Sequence, residues 1–165
     1  VGCGKGQLLL DYSENNPVDN ILGIELRLLP VDWLKDVIEG YRLPNVSVLW
    51  YSVVNGLVFI EDSSIKKIFY LFPDPWHKKK HQKRRAFTSF LLKEFKRILK
   101  PDGQIFLATD VPEVHEYHIE VLAENSEFEV KIISDDSEWD LPVTNKEKFC
   151  RLKNIHFDRI ICRIK

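Results

Sequence analysis

Four short apolar runs, at residues 21–25, 46–50, 68–72 and 105–108, recur along the chain with helix-period segments between them. This alternation restricts the fold more than any other property of the sequence. A strand that reads as a nearly continuous apolar run must be covered on both faces, and intervening helices supply that cover. The pattern predicts a Rossmann-like α/β domain with a doubly wound, mostly parallel sheet. Helices are expected over 7–15, over 31–41 with apolar Trp33, Leu34, Val37, Ile38 and Tyr41, over 86–99 and over 112–124. In the third of these, Phe87, Phe90, Leu91, Phe95, Ile98 and Leu99 share one stripe. Lys100-Pro101-Asp102-Gly103 then reads as a turn that stops it. Residues 127–133 and 156–164 alternate as strands do, the last expected antiparallel at the sheet's end. The polar stretch 134–148 is expected to be a loop over the functional face. At 165 residues and 44% hydrophobic, the chain is read as one domain, 1–165.

Gly2-Cys3-Gly4-Lys5-Gly6 opens the first helix, where glycines permit close backbone approach and free amides stand at a helix N-terminus. Glu25, about 20 residues on, ends an apolar strand, and an acid there can accept both hydroxyls of a ribose. A tight turn with an unrelated surface Glu would give the same residues. Two ligands suit the pair, a nicotinamide dinucleotide and the adenosine half of S-adenosylmethionine. The spacing G-x-G-x-G, in place of G-x-G-x-x-G, favours the second, whose sulfonium carries no pyrophosphate.

Leu71-Phe72-Pro73-Asp74-Pro75-Trp76-His77 closes the run 68–72 with a carboxylate held between two prolines. Two fixed φ angles and two absent amide donors make this loop stiff, as a site needs if one carboxylate must meet one substrate edge. A plain rigid turn is the simpler reading. A strand-end Asp-Pro-aromatic also resembles the turn of amino-group methyltransferases, although Trp76 stands in place of their second proline. Lys78-Lys79-Lys80-His81-Gln82-Lys83-Arg84-Arg85 follows, six cations in eight residues of a chain whose formal net charge is only −1. Acid collects elsewhere, in Glu113–Glu129 and Asp135–Asp140, so the surface is charge-segregated and can orient toward a polyanion. Binding through this tract would depend strongly on salt. His77 and His81 lack a third ligand, and His115 with His118 has the wrong spacing, so no metal is expected. Three cysteines without a C-x-x-C pair point to a reducing compartment. No run of about 18 apolar residues is present, so no transmembrane helix is expected.

Together these residues identify a resemblance along essentially the whole chain to the tRNA (guanine-N7-)-methyltransferase family. It is carried by the glycine loop, Gly23-Ile24-Glu25, Phe72-Pro73-Asp74-Pro75-Trp76-His77-Lys78, Lys83-Arg84-Arg85, Ala108-Thr109-Asp110 and Thr144-Asn145-Lys146-Glu147, in the family's order and spacing. The tryptophan form of the turn is similar to the bacterial branch. The resemblance implies a class I methyltransferase sheet, S-adenosylmethionine as donor, and methylation of a guanine in the tRNA variable loop, in the cytoplasm and without an obligatory protein partner. It implies that Gly2, Gly4, Gly6, Glu25 and Ser52 bind the donor and that Asp74 is the active-site carboxylate. Lys78, Asp110, Thr144, Asn145, Lys146 and Glu147 would contact substrate, and Lys79, Lys80, Lys83, Arg84 and Arg85 would grip the RNA backbone. Ser52 stands where the family commonly has an Asp. The acid that usually precedes the first glycine would lie before residue 1, so the chain is read as N-terminally truncated with its first strand largely missing. Two other readings remain open: an exocyclic-amine nucleic-acid methyltransferase, and a tRNA-binding module that has lost catalysis.

Overall fold

A computed structural model of the chain describes the backbone of residues 1–165 and every side chain except that of Lys79. Its helices are α1 (Gln7–Asn15), α2 (Leu28–Gly40), α3 (Lys79–Gln82), α4 (Ser89–Ile98), α5 (Pro112–Ala123) and α6 (Asn145–Lys153). Its strands are β1 (Ile21–Glu25), β2 (Val46–Trp50), β3 (Ile65–Leu71), β4 (Leu99–Thr109), β5 (Phe128–Ile132) and β6 (Asp158–Ile164).

The strands form two ladders. β1 pairs β2 in parallel, and a second ladder runs β3-β4-β6-β5, with β3 and β4 parallel. β6 is antiparallel to both β4 and β5. β6 runs against the rest of the ladder, as the alternating C-terminal segment predicted, but it lies between β4 and β5, and β5 takes the ladder's end. The facing edges of β1 and β3 border a cleft of about 510 Å³ that reaches from Ile21 and Ile65 to Val1. The N-terminal segment crosses its far end: the Val1 amine donates to the Phe69 carbonyl at 2.7 Å, and the Gly2 amide to the Ile24 carbonyl at 2.7 Å.

Side-chain alternation places different residues on the two faces of the second ladder. Ile105, Leu107, Ile160 and Cys162 join Leu91, Leu92, Phe95 and Ile98 of α4 and Val121 and Leu122 of α5 in the main core. Phe106, Ala108 and Ile161 point the other way, onto Ile133 and Trp139. The smaller cluster of Leu9, Leu34 and Val46 packs α1 and α2 on the first ladder. Leu91, Phe95 and Ile98 of the stripe read in 86–99, with Leu92, form the buried face of α4. The helix is shorter than expected: Phe87 is buried ahead of it, Leu99 already belongs to β4, and Phe90 is exposed.

Three further expectations about the backbone are corrected. The segment 134–148 is not one loop, because α6 begins inside it. Thr144 caps that helix, its hydroxyl accepting from the Glu147 amide at 3.1 Å, and T-x-x-E is a helix-start signature that satisfies an otherwise orphaned amide. Lys100–Gly103 is not a free turn: Ile65 pairs Leu99 and Lys67 pairs Gln104, so these residues bulge from a strand that has already begun. α2 starts three residues earlier than the periodicity indicated, because Pro30 lies in its first turn, where a missing amide costs no helical bond.

Candidate active site

Glu25 closes β1 and is buried, and most of its carboxylate is engaged with main chain and a cation. Oε2 accepts from the Gly4 amide at 2.8 Å, and Oε1 accepts from the Arg27 amide and Nε, each at 3.0 Å. Burial pushes its pKa up, but Arg27 and the two amides outweigh burial and hold the carboxyl below its ordinary range. A carboxylate offers about four lone-pair sites, so these three bonds leave room for one further donor. The acid therefore shapes the glycine loop as well as facing the cleft. Gly4 and Gly6 have φ of 55° and 75°. At Gly6 a Cβ would stand 2.4 Å from the buried Leu34 side chain, so both backbone hand and space require glycine there.

β3 ends at Leu71, and the next amide, that of Phe72, donates to the Ala108 carbonyl at 2.7 Å. The turn then holds Phe72 at φ 50° and Trp76 at φ 47°. Two bulky residues in the left-handed region store about 1–3 kcal/mol each, and they bracket Pro73-Asp74-Pro75. Asp74 is exposed, and among the described residues its carboxylate has no hydrogen-bond or ion-pair partner.

A cleft of about 230 Å³ is lined by Gly2, Glu25, Arg27, Ser52, Asp74, Trp76 and Arg84, among others. Asp74 thus faces the same space as Gly2 and Glu25, while Gly4 and Gly6 are not among the lining residues. A second cavity, about 240 Å³, lies on the other side of Val1, Gly2, Leu71 and Phe72 and holds Lys5, Gly6, Thr144, Asn145 and Lys146. Asp110, at the end of β4, receives the Lys146 ammonium at 2.6 Å, which fastens the start of α6 to the strand-end face. The larger cleft between β1 and β3 reaches toward the strand N-termini, away from these groups.

The expected substrate and RNA residues divide. Lys78, Lys80 and Lys83 are exposed. Arg84 lies over the Trp76 ring, 5.0 Å from its centroid. The Lys79 side chain lies outside the described residues. Arg85 does not fit a phosphate contact, because its side chain is buried. Its Nε and Nη2 donate to the Pro75 carbonyl at 3.2 and 3.1 Å, Nη2 also meets Glu113 at 2.7 Å, and the guanidinium lies over Tyr117. Glu147 is likewise not free for substrate. It is 2% exposed, and its Oε1 accepts from Arg151 and Arg159. An isolated buried carboxylate is so unfavourable that a paired one is the expected form. Arg27, Glu113 and Arg159 were missed by sequence reasoning. Only Glu113 left a trace, as an acid behind Pro112 in a helix's first turn; its partners are distant in the chain.

Among the described residues no group of three or more His, Cys, Asp or Glu side chains is placed to hold a metal ion. No helix is long and apolar enough to cross a membrane.

Comparison with known proteins gives these groups a context. Residues 1–156 match the model of a family described as putative methyltransferase. A tRNA (guanine-N(7)-)-methyltransferase of Vanderwaltozyma polyspora is 34% identical over 134 residues, 76% of this chain and 47% of that protein. One of Streptococcus pneumoniae is 34% identical over 119 residues, 72% of this chain and 56% of that protein. The chain thus spans about half the length of the curated relatives it matches, and yeast and bacterial relatives match equally well. A precorrin-6y C5,15-methyltransferase of Geobacter metallireducens superposes with a TM-score of 0.69 at 14% identity, over 100% of this chain and 77% of that one. A SAM-dependent methyltransferase of Aquifex aeolicus gives 0.67 at 16%, over 99% and 79%. At such identities these two show the fold alone, the Rossmann-like class I sheet. The family match and the sequence relatives go further, and the chain belongs to the putative methyltransferase family that includes the tRNA (guanine-N(7)-)-methyltransferases.

Proposed function

We propose that this chain carries the methyl-transfer site of an enzyme that moves the methyl group of S-adenosylmethionine to N7 of a guanine in the variable loop of tRNA. The observation that carries the reading is that Asp74, unpaired among the described residues, faces one cleft with Glu25 and Gly2, the first glycine of the loop. A row of exposed lysines stands beside it.

The residues present fit the donor. Glu25 keeps a lone-pair site for a ribose hydroxyl, and a Cβ placed at Gly2 would meet open space. Ser52 supplies a hydroxyl at the end of β2 without the charge of an Asp. The donor supplies an electrophilic methyl group on a sulfonium.

Guanine N7 bears a lone pair and no proton at neutral pH, so no strong general base is needed. Orientation is the largest available contribution, up to about 7–11 kcal/mol in well-aligned systems, and the two prolines and the left-handed residues around Asp74 supply the stiffness. Methylation leaves the ring cationic. A carboxylate about 4 Å away is worth ~4 kcal/mol at an effective dielectric of 20. Asp74 suits that part better than Asp110, whose charge is already answered by Lys146. Asp74 would also accept from the guanine N1 and N2 hydrogens. Trp76 and His77 offer surfaces for a base drawn out of its stack, and Lys78, Lys80 and Lys83 would hold the phosphates. Thr144, Asn145 and Lys146 border the neighbouring cavity, where they would meet the nucleotides flanking the target, with Asp110 holding Lys146 from behind.

Three unpaired thiols accord with a reducing, cytoplasmic setting. The test is to incubate the full-length protein with unmodified tRNA and labelled donor and map the product. A fixed positive charge at one variable-loop guanine supports the reading. Label on an exocyclic amine, or no saturable donor binding, overturns it.

A further inference from the structure

We infer that Arg85 and Glu113 form a latch that sets the position of Asp74, so that Arg85 acts in transfer as a positioning residue and not as an RNA contact. This rests on the methyl-transfer reading above. Arg85 lies at the end of a cationic tract, but it is 8% exposed where Lys78, Lys80, Lys83 and Arg84 are on the surface. Its guanidinium donates twice to the Pro75 carbonyl, the residue directly after Asp74. Both prolines lack amide donors, so the turn cannot brace itself through them; a side chain from outside supplies the bonds.

Glu113 fixes the other end. Its Oε1 accepts from Arg85 at 2.7 Å and from the Gln82 side chain at 2.8 Å, and His77 Nδ1 lies 3.7 Å from Oε2. One carboxylate at the start of α5 therefore gathers the residue after Trp76, the short helix α3 and Arg85. The Tyr117 ring, one turn further along α5, covers the guanidinium at 4.9 Å. Together these contacts hold a turn whose Phe72 and Trp76 occupy unfavourable backbone angles and would relax without support. A displacement of about 1 Å at a reacting group costs about 100-fold in rate.

The proposal is tested with Arg85→Gln, Arg85→Lys and Glu113→Gln, measuring kcat, KM for tRNA and the salt dependence of tRNA binding, with Lys83→Gln as comparison. Arg85→Gln is expected to lower kcat about 10- to 100-fold, with KM and salt slope within twofold of wild type. Glu113→Gln should follow the same direction more weakly, and Arg85→Lys should restore part of kcat. Lys83→Gln should do the opposite, raising KM and lowering the salt slope by about 1. A raised KM and reduced slope in Arg85→Gln, with kcat intact, overturns the latch. The second readout is the ¹⁹F resonance of Trp76 in 5-fluorotryptophan-labelled protein, assigned with Trp76→Phe. It should shift or broaden in both Arg85→Gln and Glu113→Gln with no donor or tRNA present; an unchanged resonance overturns the latch. Should Arg85→Gln not fold, Glu113→Gln carries both tests. Because the resonance needs no turnover, failure of the latch is distinguishable from failure of the methyl-transfer reading.

Discussion

Replacing Glu147 by alanine removes the carboxylate on which two guanidinium groups converge. Arg159 is 5% exposed and keeps only Asp136, itself largely in solvent, together with the rings of Trp139 and Phe157. Its Nε already has no partner among the described residues. Breaking a buried ion pair on one side costs about 3–5 kcal/mol. Asp136 still answers part of the charge, and Arg151 can turn to water, so about 3 kcal/mol is the expected loss. For a chain of this size that lowers Tm by roughly 6–12 °C. Calorimetry and urea unfolding read the change, with equal calorimetric and van't Hoff enthalpies as the condition for using it. The double replacement Glu147→Leu with Arg159→Met should recover most of the loss, because apolar groups of similar volume leave no unpaired charge. A single-variant loss under about 1 kcal/mol, or a double variant no more stable than Glu147→Ala, would refute the buried-pair account. Glu147→Gln adds a check on function. If it abolishes methyl transfer while Tm stays at the wild-type value, the carboxylate acts on substrate and not on α6.

Two further outcomes follow from other parts of the molecule. Burial among Phe87 and Tyr70, aided by His115 and Arg85, brings the His118 pKa down from 6.5 to about 4; between those values the unfolded chain binds the extra proton, so stability is present above pH 6.5 and lost as pH falls toward 4. His118→Phe should remove about 2 kcal/mol of the difference between pH 7 and pH 5 in urea unfolding, and an unchanged difference would contradict the assignment. Lys80→Gln and Lys83→Gln should each lower the slope of log Kd against log salt for tRNA by about 1; slopes equal to wild type would remove these lysines from the interface.

The α/β class, the strand-end placement of Glu25 and Asp74 and the core stripe of α4 were legible because each is local in sequence. Periodicity names the face a helix buries, and a strand's end is where its apolar run stops. The roles of Arg85 and Glu147 were not legible. Each sits in a stretch whose composition suggests solvent or substrate, and each is withdrawn by a partner far along the chain, Glu113 for one and Arg159 for the other. The cap of α6 at Thr144 was legible in T-x-x-E, but the polar run around it outweighed that signal. Glu25 shows a third case. Its position was read correctly, while its bonds to Gly4 and Arg27, which shape the loop, depend on a fold-back that no spacing rule encodes.

Single-turnover methyl transfer by Asp74→Ala, at saturating tRNA and donor and beside the wild-type protein, tests the central claim most directly. The stiff carboxylate facing the donor cleft predicts loss of transfer to the variable-loop guanine while tRNA and donor dissociation constants stay within about threefold. Near-normal transfer by this variant would contradict it.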